Sequence, residues 1–236
     1  MNRSEKATLQ LRAVTVLRTL KRTRTYDELA AETGLAANDL NRYVNGHVLP
    51  GADRAREIVE GVGHELVTTE LERRIRTDSE GYVDNTRVLS DPGLLALVPP
   101  VARETLGFEA PEVVLTAATD GITLATGMAE QFGARVAYAK KSRETAVESF
   151  LEARRRLDSG IELAYYLPAE TLASGTRVLV VDDLIRSGET QELLLDIAAQ
   201  AGARVCGVFA LFAAGEEGLD RVRDRVDAPV GALVSV

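Results

Sequence analysis

Cysteine and histidine are scarce in this chain, which has one Cys and two His among 236 residues. A single cysteine forms no disulfide within the chain, and Cys206 lies in an apolar, strand-like stretch, so we expect a buried thiol. His47 and His64 are too few to build a His/Cys metal cluster, and we expect no resident metal. No apolar run is long enough to cross a membrane, and the N-terminus lacks the apolar core of a signal peptide. We therefore expect a cytoplasmic protein with no membrane partner.

The charge of the chain is acidic overall but unevenly distributed. The net charge is −8, with 45% hydrophobic and 27% charged residues, which is typical of a soluble globular protein and argues against indiscriminate nucleic-acid binding. Residues 1–68 carry 10 Lys and Arg against 9 Asp and Glu, whereas residues 69–236 carry 18 against 27. The acidity is confined to the longer segment, and we predict two domains, residues 1–68 and residues 69–236.

The first domain is predicted to be all α-helical. Thr25 followed by Glu28 is a capping box that starts a helix, and Gly34 is suited to the left-handed position that ends it. Apolar residues recur at helical spacing on both sides of this segment. Helices are expected at residues 9–20, 26–33, 37–44 and 51–63, followed by a joint from residue 65 to about residue 76.

Residues 29–50 carry the pattern of a helix-turn-helix. Ala30 lets two helices approach closely, Gly34 makes the turn, and Leu40 anchors the following helix to the core. This stretch resembles the Cro/repressor type of helix-turn-helix, whose second helix enters the major groove of DNA. The alternative is a compact helical module that binds no DNA.

Two sets of DNA contacts follow if this stretch binds DNA. Asn pairs well with adenine edges and Arg with guanine, so base contacts are predicted from the exposed face of the helix at 37–44: Ala37, Asn38, Asn41 and Arg42. Basic side chains near the end of the first helix are predicted to contact phosphates, which position the protein without specifying sequence: Arg18, Lys21, Arg22 and Arg24. The alternative for this basic cluster is a solvated helix end.

Residues 177–190 are the most informative stretch of the second domain. An apolar run indicates a strand buried on both faces, and it ends on Asp182 and Asp183. A loop with Gly188 and the hydroxyls of Ser187 and Thr190 follows, and then a helix begins. Such a loop favours a phosphate, because free N–H groups and the helix dipole point at it. The two carboxylates would face sugar hydroxyls or a cation carried by the ligand, so the stretch fits a ribose 5-phosphate group.

Residues 178–190 resemble the signature of type I phosphoribosyltransferases, which bind phosphoribosyl pyrophosphate (PRPP). A generic buried strand with a polar end is the alternative. A receiver domain also has paired acids after its first strand, but too little chain follows here for the rest of such a domain. The resemblance assigns ligand contacts to Asp182, Asp183, Leu184, Ile185, Arg186, Ser187, Gly188, Glu189 and Thr190.

Two more groups of residues join the predicted site through the same resemblance. The tight loop Thr119-Asp120-Gly121 follows a strand and resembles the loop that receives pyrophosphate in these transferases. Lys140 and Lys141 end the next strand, where the family has basic residues that meet the pyrophosphate. The predicted site therefore has two phosphate-facing loops, a pair of acids and two lysines.

The second domain is predicted to be α/β. Strand and helix segments alternate, which implies a mostly parallel sheet with right-handed crossovers. Residues 142–160 are expected to form the flexible loop of the family, with residues 150–157 helical, and the polar residues 81–92 predict no regular element. Strands are expected at residues 111–116, 134–141, 161–167, 177–183, 203–212 and 231–236. The fold class is thus a type I phosphoribosyltransferase-like, mostly parallel sheet flanked by helices, preceded by a small helix-turn-helix domain.

Residues that assist pyrophosphate departure in orotate phosphoribosyltransferases are missing from this chain. Those enzymes carry a Lys and a His in the loop after the basic strand end, whereas Glu144 stands here where the Lys is expected and no His follows His64. Transfer builds negative charge on the departing pyrophosphate, so the loss of these cations removes its main electrostatic stabilisation. Glu189 also weakens phosphate binding unless a cation or Arg186 offsets its charge. We therefore predict a ligand sensor without catalytic residues, and not an enzyme.

The combination of a helix-turn-helix and a phosphoribosyltransferase-like domain resembles the archaeal orotate-phosphoribosyltransferase-like transcriptional regulators of central sugar catabolism. The resemblance implies an archaeal transcription factor that binds operator DNA as a homodimer or higher even oligomer. Its effector would be PRPP or another phosphorylated sugar, with no cofactor other than Mg²⁺ carried by bound PRPP. The alternative is an active orotate or purine phosphoribosyltransferase whose first domain serves assembly.

Overall fold

The computed structural model describes residues 1–61, 64–79, 82–156, 160 and 162–236. The chain forms two compact units, of which the first comprises Met1–Arg73 and Asp91–Val101 and the second comprises Arg74–Ser90 and Ala102–Val236. The chain thus passes into the second unit, returns to the first, and leaves it again. The division into domains 1–68 and 69–236 stays a prediction. No helix in the described ranges is long and apolar enough to span a membrane.

Helices and strands alternate through most of the second unit, whereas the first is helical. The described helices are α1 (Arg3–Lys21), α2 (Tyr26–Thr33), α3 (Ala37–Val44), α4 (Ala52–Gly61), α5 (His64–Arg74), α6 (Thr86–Leu89), α7 (Pro92–Leu95), α8 (Val98–Leu106), α9 (Gly121–Phe132), α10 (Glu189–Gln200) and α11 (Glu217–Arg223). The described strands are β1 (Arg76–Thr77), β2 (Val83–Asp84), β3 (Val113–Ala117), β4 (Arg135–Ala139), β5 (Phe150–Arg156), β6 (Glu162–Pro168), β7 (Arg177–Ile185), β8 (Arg204–Ala213) and β9 (Val230–Ser235).

Local capping signals define the region that the sequence predicts to be a helix-turn-helix. The N–H of Glu28 donates to Thr25 Oγ1 at 3.2 Å, and the N–H of Thr25 donates back to Glu28 Oε2 at 2.7 Å, which completes the predicted capping box. Gly34 ends α2 with a φ of 66°, in the left-handed region. Leu40 is fully buried on α3. The predicted ranges of α2 and α3 are confirmed.

Other boundaries in the first unit differ from the prediction. α1 begins at Arg3 rather than at residue 9, because Asn2 and Glu5 form a second capping box in front of it. The predicted joint at residues 65–76 is helical as far as Arg74. The predicted fourth helix agrees with α4 up to Gly61, and its last two residues, 62 and 63, lie outside the described residues.

The second unit is built on a five-stranded parallel sheet with the order β4-β3-β7-β8-β9. All of β3 and most of β7 and β8 are buried, as expected for parallel strands that helices cover on both faces. α9 contacts β3, β4 and β7, and α10 contacts β3, β7 and β8. The predicted fold class, a mostly parallel sheet flanked by helices with a helical region before it, is confirmed.

Strand β7 is longer than predicted. The sequence predicts its end at Asp182 and Asp183, but the strand continues to Ile185 because β8 runs beside it to the same level. Asp182 pairs with Ala210 and Ile185 with Ala213 in the register of these two strands. The two acids therefore lie within a central strand and not in the loop that follows it.

The predicted helix at residues 150–157 is wrong. Phe150–Arg156 forms β5, which pairs antiparallel with β6. Arg154 forms an ion pair with Glu162 at 3.1 Å, and the rings of Phe150 and Tyr166 meet edge to face at 6.3 Å. Such cross-strand contacts override helix propensity, which is a weak prior. Residues 157 and 161, the end of the predicted helix and the start of the predicted strand, lie outside the described residues.

The β5–β6 hairpin is fastened along α10. The Gln200 side chain accepts a hydrogen bond from the N–H of Glu152 at 3.2 Å and donates one to its carbonyl at 2.8 Å. In the first turn of α10, the buried Glu192 forms ion pairs with Arg155 of β5 and with Arg225, the latter at 3.2 Å. These contacts hold the described part of the hairpin against the helix that follows the signature loop.

Candidate functional site

The predicted ligand residues gather at the carboxyl edge of the parallel sheet. β3 and β7 are adjacent at the centre of the sheet. The strand that follows β3, β4, lies on one side of this pair, and the strand that follows β7, β8, lies on the other side. Ligands of open α/β sheets bind where the strand order diverges in this way. β3 and β7 are neighbours, so the loops that follow them lie side by side. The structure brings the two predicted phosphate-facing loops together.

The loop after β7 is short and tightly packed. Arg186 and Ser187 are exposed, and Gly188 adopts a φ of 78° just before α10 begins. A Cβ atom on Gly188 would lie 2.7 Å from the carbonyl oxygen of Gly218, and one on Gly218 would overlap with the carbonyl of Arg186. Only glycine fits at either position. No side chain in the described part of the chain caps the start of α10, so the N–H groups of its first turn, which contains Thr190, can donate to an anion.

The strand residues of the predicted set differ in what they can offer a ligand. Leu184 is half-buried, whereas Ile185 is fully buried in the hydrophobic core and presents no side chain to the site. If Ile185 contacts the ligand as predicted, it therefore does so only through its backbone. The polar members of the set lie on both sides of these two residues, at Asp182–Asp183 and at residues 186–190.

Asp182 is a buried carboxylate with defined partners. Its Oδ2 accepts from Gln191 Nε2 at 2.6 Å, and its Oδ1 accepts from the N–H of Asp183 at 3.1 Å. Burial raises the pKa of Asp182 well above its ordinary range, and the neighbouring charge of Asp183 raises it further. Gln191 was not predicted as a site residue. Its sequence signal is weak: a polar side chain on the face of α10 that is buried.

Asp183 is half-buried and lies beside Asp182. Its Oδ2 accepts a hydrogen bond from Nδ2 of Asn85, which lies 98 residues earlier in the chain. Asn85 belongs to the stretch for which the sequence predicts no regular element, and no local signal marks it as a site residue. The structure thus adds Asn85 to the predicted set.

The loop after β3 meets Asp182 directly. Thr119 and Asp120 are exposed, the Ala118–Thr119 peptide bond is cis, and Gly121 begins α9. A Cβ atom on Gly121 would overlap with the Thr116 hydroxyl and would lie 2.9 Å from Asp182 Oδ1. Glycine is required here because the loop backbone approaches the carboxylate so closely.

Lys140 and Lys141 follow β4 at the same edge of the sheet. The Lys140 ammonium forms an ion pair with Glu144, and this hydrogen bond raises the pKa of Lys140. Lys141 is exposed. Glu144 occupies the position where the resemblance to orotate phosphoribosyltransferases predicts a loop Lys. It therefore also neutralises Lys140, one of the two predicted pyrophosphate contacts.

Glu189 has a cationic neighbour, although it is not Arg186. Arg221 Nη1 lies 3.8 Å from Glu189 Oε1, and Ser187 Oγ donates to Glu189 Oε2 at 2.7 Å. The guanidinium of Arg186 lies over the ring of Tyr82, 5.1 Å from its centroid. Arg221, which was not predicted, therefore partly offsets the charge that Glu189 brings to the loop.

The predicted base-reading residues lie on the accessible side of α3. Asn38, Asn41 and Arg42 are exposed and Ala37 is half-buried, while Leu40 faces the core. The Arg42 guanidinium lies 3.9 Å from Asp39, a distance that leaves it free to turn toward another acceptor. The geometry is compatible with a recognition helix.

The predicted phosphate contacts are largely engaged within the first unit. Arg18 Nε donates to the carbonyl of Val44 at 2.8 Å, Lys21 lies 4.9 Å from the ring centroid of Tyr26, and Arg22 pairs with Asp91 at 2.6 Å. These three are surface or half-buried contacts that an incoming phosphate can replace. Arg24 is different, because its side chain is only 8% exposed and pairs with buried Glu70 at 2.7 Å. Arg24 is therefore engaged inside the first unit, and its contact with a phosphate stays a prediction.

No group of three or more His, Cys, Asp or Glu side chains within the described ranges is arranged to hold a metal ion. Cys206, predicted as a buried thiol, is buried on β8, and burial raises its pKa to about 11. It therefore stays a protonated thiol at neutral pH.

Known proteins resemble most of this chain. The purine biosynthesis transcriptional repressor PurR of Bacillus subtilis is 27% identical over 167 residues, which cover 70% of this chain and 56% of the repressor. An adenine phosphoribosyltransferase of Streptomyces coelicolor is 29% identical over 160 residues, which cover 66% of this chain and 85% of that protein. The structure of adenine phosphoribosyltransferase from Rhodothermus marinus superposes with a TM-score of 0.63 at 23% identity, covering 73% of this chain and 99% of that one.

These relatives are matched over unequal parts of their lengths. The chain spans 56% of the Bacillus repressor and 38% of a 42% identical adenine phosphoribosyltransferase from Streptomyces galbus. Residues 100–229 match the family described as the phosphoribosyl transferase domain, which is more than half of the chain. The matched region contains both loops at the carboxyl edge of the sheet and the two acids of β7. The chain therefore belongs to the phosphoribosyl transferase domain family.

Proposed function

We propose that this protein is a DNA-binding transcriptional regulator whose phosphoribosyl transferase domain binds PRPP or another phosphorylated sugar as an effector. The observation that carries the proposal is the presence of an exposed, Asn- and Arg-bearing helix after a Gly turn in a chain that also has the phosphoribosyl loop. The similarity to a purine repressor supports the same role.

The electrostatics of the phosphate loops support a sensor rather than a transferase. Pyrophosphate departure needs positive charge, yet Lys140 is paired with Glu144 and Glu189 sits at the start of α10. The ligand can still bind, because backbone N–H groups and hydroxyls supply most of the predicted contacts. Binding without efficient transfer is the property that an effector site requires.

The finer assignment is a regulator of sugar catabolism genes of the archaeal type. Its support is the resemblance of the whole chain to those regulators. A homodimer would present two helix-turn-helix elements to half-sites about one helical turn apart. Ligand binding would then favour one arrangement of the two DNA-reading helices over another.

The second candidate function is a purine or orotate phosphoribosyltransferase with a helical assembly domain. The observation in its favour is that the relatives include adenine and xanthine phosphoribosyltransferases at 28–29% identity. Calorimetric titration with PRPP and Mg²⁺, with turnover of adenine, xanthine, hypoxanthine, guanine and orotate followed in the same samples, separates the two. Heat of binding with no base consumed supports the regulator, whereas turnover at ordinary enzyme rates establishes the transferase.

Replacing Arg42 by Ala is expected to weaken specific DNA binding by about 1–3 kcal/mol, because a base-reading arginine is lost. The operator is first selected by the parent protein from a pool of random-sequence DNA, and affinities are then measured by fluorescence anisotropy at fixed salt. Arg54→Ala, which removes an exposed arginine of α4, is the matched control for the change in charge. Equal affinities of the parent and the Arg42 variant would reject α3 as the reading helix.

A further inference from the structure

We propose that Asn85 competes with the ligand for Asp183, and that its release from this carboxylate is the event that the DNA-reading unit senses. This inference rests on the proposed function and adds a ligand-exchange residue to the same site. Three structural observations carry it: the partner of Asn85, the helix that begins at Asn85, and the position at which the chain next enters the first unit.

The Asn85 amide is hydrogen-bonded to the carboxylate that is predicted to bind a sugar hydroxyl. Asp183 Oδ2 accepts from Asn85 Nδ2, and Asp183 is one of the two acids predicted to face ribose hydroxyls. An amide N–H and a sugar O–H are both neutral donors to a carboxylate oxygen, so they compete for the same lone pairs. A ligand hydroxyl that takes the position of the Asn85 amide on Asp183 Oδ2 displaces Asn85.

The backbone of Asn85 starts α6, so the side chain and this helix move together. The N–H groups of Val88 and Leu89 donate to the Asn85 carbonyl at 2.8 and 3.0 Å. Just before it, Asp84 Oδ1 accepts from the N–H of Thr86 at 3.0 Å, which closes the turn. Val88 is fully buried. A shift of Asn85 is therefore transmitted to the whole helix rather than absorbed by a loose loop.

The chain enters the first unit again two residues after α6, at Asp91. Asp91 Oδ1 accepts from Arg22 Nη1 at 2.6 Å and from the N–H groups of Gly93 and Leu94 at 3.0 and 3.2 Å. Arg22 caps the end of α1, and the Thr25 capping box of α2 follows three residues later. One short covalent segment thus joins the Asp183 contact to the base of the helix-turn-helix.

This arrangement predicts which ligands are effective. PRPP and ribose 5-phosphate carry hydroxyls that can replace Asn85 on Asp183. Inorganic pyrophosphate can fill the phosphate loops but carries no ribosyl hydroxyl to place on the carboxylate, so it leaves Asn85 in place. A ligand shifts a conformational equilibrium only through differential affinity for the two states, and here the ribosyl hydroxyl supplies that difference.

The test compares Asn85→Ala with Ser90→Ala, a control at an exposed position of the same segment. We expect Asn85→Ala to bind PRPP about 2- to 10-fold more tightly, because one intramolecular hydrogen bond no longer competes. Its affinity for the selected operator should match that of the PRPP-loaded parent and should no longer change with PRPP. Pyrophosphate should leave operator affinity unchanged in the parent and in both variants.

A second variant tests the link to the first unit. Asp91→Asn keeps the acceptor for the N–H groups of α7 but loses the charge that pairs with Arg22. It should bind PRPP as the parent does, while operator affinity loses most of its response to PRPP. A full response in Asp91→Asn overturns the proposed route.

The outcomes separate this inference from the proposed function. Unchanged PRPP affinity and an intact operator response in Asn85→Ala overturn the inference and leave the regulator standing. A parent that selects no DNA overturns the regulator, whereas the PRPP titrations of the parent and Asn85→Ala still decide whether the amide competes at Asp183. A parent that binds no PRPP overturns both for this effector class.

Discussion

Replacing both Asp182 and Asp183 by Asn is expected to lower the affinity for PRPP by at least about 100-fold. Each carboxylate that accepts a hydrogen bond from a ligand hydroxyl contributes about 1.5–3 kcal/mol, and two such losses correspond to several powers of ten when they add. Asn has nearly the volume of Asp, so the strand and its packing are retained. Titration calorimetry with Mg²⁺ and PRPP measures the effect.

The matched control is Asp196→Asn on α10, where the carboxylate pairs with Arg225 and lies outside the two phosphate loops. It removes one negative charge from the same domain and should bind PRPP as the parent does. A double Asp182/Asp183 variant that retains parental affinity would show that the ligand does not engage these acids.

The single substitution Asp182→Asn also predicts a pH effect on the ligand-free protein. The folded-state pKa of Asp182 is raised, so the folded state holds this proton more tightly than the unfolded state does. The stability it contributes is present below the unfolded pKa, about 3.9, and is lost as the pH rises through the folded pKa. We expect the parent to lose thermal stability relative to Asp182→Asn across that window. Melting curves that differ by a constant amount at every pH would contradict the shift.

Replacing Arg24 by Met is expected to lower the free energy of unfolding by about 3 kcal/mol, because it breaks an ion pair whose members are nearly buried. The side chain of Arg24 is 8% exposed and that of Glu70 2% exposed, and Arg24 Nη1 lies 2.7 Å from Glu70 Oε1. Arg24 also pairs with Glu32 at 2.8 Å. Urea denaturation of the full chain, monitored by circular dichroism, measures the loss.

Two comparisons make the Arg24 result specific. Arg54→Met removes an exposed arginine and should change stability by less than about 0.5 kcal/mol. The double variant Arg24→Met/Glu70→Met should recover part of the loss, because replacing both members of a buried pair by apolar residues is often neutral. If instead Arg24→Met keeps full stability and loses operator affinity, Arg24 is a DNA contact as the sequence indicates.

Elements whose signals are local could be predicted from the sequence. The Thr25–Glu28 capping box and Gly34 define α2 within ten residues of chain, and the apolar run of β7 with its Gly188 loop marks the edge of the sheet where the ligand is predicted to bind. The end of β7 could not be predicted, because the ladder with β8 determines it. The strand β5 could not either, since its partners lie across a hairpin whose pairing is not visible in local propensity.

Contacts between distant residues account for the remaining differences. Arg24 looks like a member of a basic surface cluster until Glu70, 46 residues away, is brought against it. Asn85 has no sequence neighbour that marks it, because its partner is 98 residues away. Such tertiary contacts determine which polar residues lie together in a site. A single sequence does not reveal these contacts, because the partners are far apart along the chain.

The division of the first unit into two chain segments constrains how this protein can be recombined. α7 lies in the second segment, its Leu94 and Leu95 are buried, and it contacts α1. A crossover after Arg73 would carry α1 to α5 onto a new partner without α7 and would leave part of their core uncovered. A crossover after Val101 would keep α7 with α1 but would take Arg74–Ser90, including Asn85, away from the second unit. No single crossover therefore separates the two units intact, and an exchange of the first unit must replace both of its segments.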